Sequence, residues 1–245
     1  MRKYTGIRVE EATWAEISDY LEACHLAVLP IAASCKEHGL HLPMNTDFIQ
    51  ARWITQQLIQ SHELIVWPIL GYGYYPAFTN YPGSISVTDE TFVQHVAEVC
   101  LSIFSHGVRH LILLNTGIST ISPLSTLAKA SSFNGGLHLL NVYEGQCFKT
   151  VAQQISQQPI GGHADEIETS IMLAIAPEQV DMDKADSGLC SGVARGVLQH
   201  SDPQSDNYTK SGVIGDPLLA TREKGELLIN AIVRDIEEFV VRLSN

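Results

Sequence analysis

Four side chains of one short stretch carry the chemistry this sequence offers. Leu29 to Asp47 reads LPIAASCKEHGLHLPMNTD, an apolar run followed by a polar turn holding Glu37, His38, His41 and Asp47. Histidines and carboxylates together serve as metal ligands or as acid–base pairs. The same turn carries Lys36, a cation where a ligand set for cations would otherwise form. Cys35 stands three residues from His38, a spacing at which a thiol and an imidazole can meet, although nothing in the local sequence orients the base. For His38 and Asp47 the plain structural alternative is a turn histidine and a helix N-cap, since aspartate caps helices well.

Elements that must position these groups follow from spacing. Thr13 with Glu16 three residues later predicts a capping box and a helix over 14–23. The apolar run 26–33 predicts a buried strand, and Phe48, Ile49, Trp53, Ile54 and Leu58 recur at helical spacing after the turn. A second strand is expected over 63–70, a helix over 89–105, a third strand over 109–114, a helix over 122–131 and a fourth strand over 137–143. This alternation predicts one α/β domain over residues 1–245, a mostly parallel sheet with helices on both faces. The loops after its strands are then the place for a site: 34–47, 71–84 and 115–120. A further helix opens after GGHADEIETS at 161–170. Within that stretch His163 is expected to be a proton carrier or a structural residue, and Glu166 a solvated helix residue. Residues 178–213 read as a surface excursion or lid, and a last helix is expected over 221–243. Tyr72, Tyr74 and Tyr75, in an aromatic loop after a strand, are candidates for lining a substrate pocket or a subunit interface. The remaining histidines show no ligand spacing.

Composition narrows the function classes. The net charge of −12 over 245 residues argues against nucleic acid, which demands a basic face, and against an anionic membrane surface. No apolar run approaches the length of a spanning helix, and the polar start of the chain is unlike a signal peptide. Five scattered cysteines without a CxxC pair predict a reducing, cytoplasmic setting with no disulfide frame.

Four motifs in order resemble those of the creatininase (creatinine amidohydrolase) family. The opening stretch resembles L-P-x-G-S-x-E-x-H-G-x-H-L-P-x-x-T-D. Tyr81-Pro82-Gly83-Ser84-Ile85-Ser86 resembles F-P-G-T-I-S, the run from His163 resembles H-A-G-E-x-E-T-S, and Gly215 to Gly225 resembles G-x-P-x-x-A-T-x-E-K-G. The resemblance implies a three-layer αβα sandwich, a homo-oligomer that is often a hexamer, and two divalent metals, zinc or manganese, activating water against a C–N bond of a small molecule. Asp47 matches the bridging aspartate, His38 a ligand of one metal, and Glu168 the glutamate that completes its shell. The other metal's set departs from the pattern: Lys36 stands for a glutamate, Gly117 for a histidine, and Ser119 where creatininase itself places a further glutamate. A register slid by one residue would use Glu37 instead. The resemblance therefore implies one metal per subunit or none. Two readings follow. One is a hydrolase of a cyclic or other non-peptide C–N bond, with His38, Asp47 and Glu168 on one metal and His163 as catalytic proton carrier. The other is a non-catalytic relative, a small-molecule binder or oligomeric structural protein, in which Lys36 replaces a metal.

Overall fold

The computed structural model describes residues 5–188 and 196–244. Five strands form one all-parallel sheet: β1 (Ile7–Arg8), β2 (Leu26–Ile31), β3 (Ile65–Val66), β4 (His110–Asn115) and β5 (Leu137–Asn141), in the order β1-β3-β2-β4-β5. The sequence pattern predicted four strands and missed β1, whose two residues lie in a polar context too short to show a period. The central strand β2 is buried at all six positions, as a continuous apolar run requires when helices cover both faces. Alternate side chains feed opposite layers. Leu26 and Val28 pack with α2 (Thr46–Ser61), α5 (Gln146–Ile155), α6 (Glu166–Ile175) and α7 (Arg222–Ser244), while Ala27, Leu29 and Ile31 pack with α3 (Asp89–Ser105) and α4 (Ile121–Ala128). The layers are those of an αβα sandwich.

Local chemistry explains the helix ends. α1 (Trp14–Ala23) starts at the predicted capping box: Glu16 N–H donates to Thr13 Oγ1, and Thr13 N–H to Glu16 Oε2. Asp165 caps α6 by accepting from Ile167 and Glu168 N–H. Asp47 does not cap α2. The N-cap position is Asn45, without a side-chain bond, and Asp47 lies inside the first turn with its carboxyl turned elsewhere. Helix α5 was not predicted, although Phe148, Val151, Ala152 and Ile155 carry a helical period.

Topology places the site. From β2 the chain moves to β3 on one side, then returns to β4 on the other. Neighbouring strands β2 and β4, in register from Leu26–His110 to Ile31–Asn115, therefore send their connections to opposite faces. A crevice opens outside their carboxyl ends, where α/β sheets hold ligands. The 34–45 turn follows β2 and the 116–120 turn follows β4, so two of the three expected loops meet there. The 178–213 segment is less of an excursion than expected. Leu198 packs with Phe78 and Tyr81, and Thr209, Ser211 and Val213 are buried.

Candidate metal centre

Asp47 organises the site from the first turn of α2. Its two carboxyl oxygens face different surroundings. Oδ2 lies 2.8 Å from Lys36 Nζ, and that ammonium rests against the faces of Phe78 and Tyr75, at 5.1 and 5.8 Å from the ring centres. Oδ1 lies 3.4 Å from His38 Nε2, which is 3.6 Å from Glu168 Oε1. His38 and Asp47 are fully buried, yet neither His38 Nε2 nor Asp47 Oδ1 has a hydrogen-bond partner. Buried polar atoms are nearly always bonded, so an unpartnered His38 Nε2 between two carboxylates suits a cation. The His38–Asp47 and His38–Glu168 spacings agree. Ligands about 2.0–2.1 Å from a tetrahedral zinc ion stand about 3.3–3.4 Å apart.

The shell around these atoms holds them in ligand form. His38 Nδ1 lies 2.9 Å from the Lys36 carbonyl, which accepts its proton and leaves a lone pair on Nε2. Glu168 Oε2 accepts from Ala164 N–H at 2.7 Å. His163 Nε2 reaches the Glu37 carbonyl at 2.7 Å and Glu37 Oε2 at 3.0 Å, while its Nδ1 lies 3.8 Å from Glu168 Oε2. His38, His163 and Glu168 offer ligand atoms all within 4.8 Å of one another. His41 reaches Thr169 Oγ1 at 2.8 Å through Nε2; it braces the helix that carries Glu168. Two glycines are required for close approach. Gly39 sits at φ +73° where a Cβ would stand 2.8 Å from the His41 ring, and Gly212 at φ +86° where a Cβ would fall on the Glu37 carboxyl.

Charge follows geometry. Burial alone would raise the Asp47 pKa, but the Lys36 and His38 side chains outweigh it and hold the carboxyl well below the usual range. Burial opposes charge on Lys36, and Asp47 with Glu168 outweighs that, so its pKa is raised and it stays an ammonium. Burial likewise opposes charge on both members of the Glu37–His163 pair, yet their attraction lowers the first pKa and raises the second. His41 has no such partner, and burial depresses its pKa to about 4.

Other expected residues fall as follows. Gly117 is buried beside Lys36's side of the site. A Cβ there would stand 2.7 Å from Thr120 Oγ1 and 3.5 Å from a Tyr75 ring carbon, so the Thr120 hydroxyl crowds a side chain at Gly117 and Tyr75 only touches it. Ser119 lines a neighbouring cavity of about 520 Å³ together with Lys36, His163 and Glu168. Tyr72 and Tyr74 do not line it: Tyr72 is 57% exposed, and Tyr74 packs against the α3–α4 core. Cys35 is half-buried and His38 has both ring nitrogens aimed elsewhere, so no thiol–imidazole pair forms. Cys24, Cys100 and Cys147 are also free thiols, and Cys190 lies outside the described residues. Glu166 is corrected. It is fully buried, pairs with Lys224 Nζ, and accepts from Gln157 and Gln158 N–H. A lysine 58 residues away made it a core acid. Sequence reasoning undervalued Glu37 and missed Phe78, whose one sequence signal was a place beside the motifs; Tyr75, a candidate for lining a pocket or an interface, rests against Lys36.

Comparison with known proteins agrees with this geometry. The model of the creatininase family, described as creatinine amidohydrolase, matches residues 10–240. The chain belongs to the creatininase family. A 3-dehydro-scyllo-inosose hydrolase of Thermotoga maritima is 27% identical over 98% of this chain and 84% of its own length. The creatinine amidohydrolase of Pseudomonas putida is 23% identical over 96% of each. Among solved structures, a manganese creatininase superposes with a TM-score of 0.79 at 24% identity, covering 96% of this chain and 97% of that one. A creatininase of Zn-Zn type gives 0.77 at 25% identity over the same shares. Family structures thus hold manganese or zinc, and this member keeps one buried cluster suited to a metal. No helix among the described residues is long and apolar enough to cross a membrane.

Proposed function

We propose that this chain is a hydrolase of a cyclic or other non-peptide C–N amide bond, working with one divalent cation, zinc or manganese, on His38, Asp47 and Glu168. The observation that carries this reading is His38 Nε2, buried and without a hydrogen-bond partner, standing 3.4 Å from Asp47 Oδ1 and 3.6 Å from Glu168 Oε1. A bound divalent ion supplies an acidified water and polarises a carbonyl. The chain's own residues do the rest. His38 presents its lone pair because its other nitrogen is held by the Lys36 carbonyl. Glu37 holds His163 Nε2, leaving Nδ1 on the cavity side to carry a proton toward the leaving nitrogen. Lys36 supplies, as an ammonium 2.8 Å from Asp47, the charge that a second cation supplies where a glutamate stands at its position. The substrate is a small molecule, and the working unit is a homo-oligomer, in keeping with the motifs.

The same Lys36–Asp47 contact favours a second reading, a non-catalytic binder or structural protein in which the ammonium has replaced the metal altogether. Metal content per subunit decides between them, measured by elemental mass spectrometry on protein purified without a histidine tag or chelator. About one equivalent, absent from Asp47→Ala, is expected. Two equivalents would overturn the assignment of Lys36 and Gly117 as lost ligand positions. None, even after incubation with zinc or manganese, would leave the non-catalytic reading.

A further inference from the structure

The cavity beside the cluster has a chemistry that the family's motifs do not specify. Its walls are largely apolar, formed by Phe78, Ile118, Tyr143, Phe148, Ile167 and Ile214. Its acidic and basic side chains are Lys36, His163, Asp165 and Glu168. Three of these are engaged. Asp165 caps α6, His163 is held by Glu37, and Glu168 is anchored on Ala164 N–H and faces His38. Lys36 differs. An ammonium has three N–H donors, and among the described residues its one ion pair is with Asp47. The faces of Phe78 and Tyr75 steady it and accept no full hydrogen bond. Donors are therefore left over at the apolar cavity, where water competes poorly and a hydrogen bond to an oxygen is strong.

We propose that this cavity receives the apolar acyl half of the substrate and that Lys36 is a catalytic residue, donating to the carbonyl oxygen. This rests on the hydrolase reading above and names its substrate class: an amide or lactam whose acyl carbon carries an aromatic or branched alkyl group. In the reaction the oxygen of water bonds to the carbonyl carbon, and negative charge grows on the oxygen that Lys36 holds. The C–N bond then breaks, its electron pair and both protons of the water go to nitrogen, and a carboxylate and an ammonium group result, on two products from an amide or on one from a lactam. The carboxylate product would keep one oxygen on Lys36.

The test uses 3-phenylpropionate as a probe of the product side, titrated calorimetrically into the full chain with and without zinc, with bound zinc counted in the same samples. Lys36→Met is expected to weaken the probe at least tenfold with zinc content unchanged. Because removing a buried ion-pair partner can impair folding, Ile118→Glu serves as a second variant. Ile118 is 63% exposed where it lines the cavity, and a carboxylate there should repel the probe severalfold without touching the cluster. Failure of the wild type to bind the probe, or a change under threefold in both variants, overturns the inference while one equivalent of zinc would leave the hydrolase reading standing. If the wild type takes up no zinc, the one-cation reading fails, and the Lys36→Met comparison on the metal-free chain decides this inference alone.

Discussion

The two oxygens of Asp47 divide the site into halves that have solved one electrostatic problem differently. On the Oδ1 side, His38 Nε2 and Glu168 Oε1 converge at 3.4 and 3.6 Å contacts with no proton donor between them. On the Oδ2 side a lysine supplies the positive charge covalently, with Phe78 and Tyr75 packed around it. The Thr120 hydroxyl stands 2.7 Å from where a Cβ at Gly117 would be. The comparison teaches that one buried carboxyl can meet a lysine on one oxygen and an imidazole on the other, and a buried carboxyl left without a cation is costly.

The largest effect tests that cost. Asp47→Ala strands the Lys36 ammonium in a buried site, and the expected loss is about 3–5 kcal/mol of folding stability, read by urea unfolding, together with the loss of all bound zinc. Retention of zinc would show that Oδ1 is not part of the open half. The converse change should reopen the filled half. Lys36→Glu alone places two acids together and is expected to lower stability unless zinc is present. Combined with Gly117→His and Thr120→Ala, it is expected to raise bound zinc from one equivalent to two. The variant without Thr120→Ala should fall short, since the Thr120 hydroxyl stands 2.7 Å from a Cβ at position 117.

A smaller effect concerns the brace behind the open half. His41 is buried with its pKa depressed to about 4, whereas the unfolded chain takes up that proton near pH 6.5. Between those values the unfolded state binds more protons, so stability should fall as pH drops from about 6.5 to about 4, by an order of 2–3 kcal/mol. In His41→Gln, which lacks the titrating group, this part of the pH–stability curve should flatten. An unchanged slope would mean another group titrates there. The Glu37–His163 pair runs the other way on the basic side. The raised His163 pKa gives stability that is present below about 6.5 and lost as pH rises through the folded value, and Glu37→Gln should remove that slope. The smallest effect is expected at Tyr72. It is exposed and outside the cavity lining, so Tyr72→Ala should change stability by less than about 0.5 kcal/mol and probe affinity by less than about twofold.

Much of this molecule was legible before any coordinates. The capping box at Thr13 and Glu16 and the helix over Asp89–Ser105 lie where spacing put them, because both signals are local: a cap hydrogen bond spans three residues and an apolar face repeats within two turns. The places of four strands were readable for the same reason, although the one expected over 63–70 is only Ile65–Val66. The order of the four motifs pointed to the family, and the meeting of Lys36, His38, Asp47 and Glu168 followed from the motif positions. Strand β1 was not legible, since its two residues pair with β3 across some 57 positions of chain.

What only the tertiary structure decided is the state of each acid and each loop. Glu37 and Glu166 look alike in sequence, two acids beside a motif. One is buried against His163, 126 residues away, and the other against Lys224. A carboxyl's burial depends on whether the fold brings a cation to it, and no local pattern encodes that. The same holds for Tyr75. Sequence determined that an aromatic cluster follows β3, but only the packing of that loop set Tyr75 against Lys36 and Tyr74 into the α3–α4 core. Local hydrogen bonding and periodicity are written along the chain; desolvation and charge pairing are properties of which distant segments end up together.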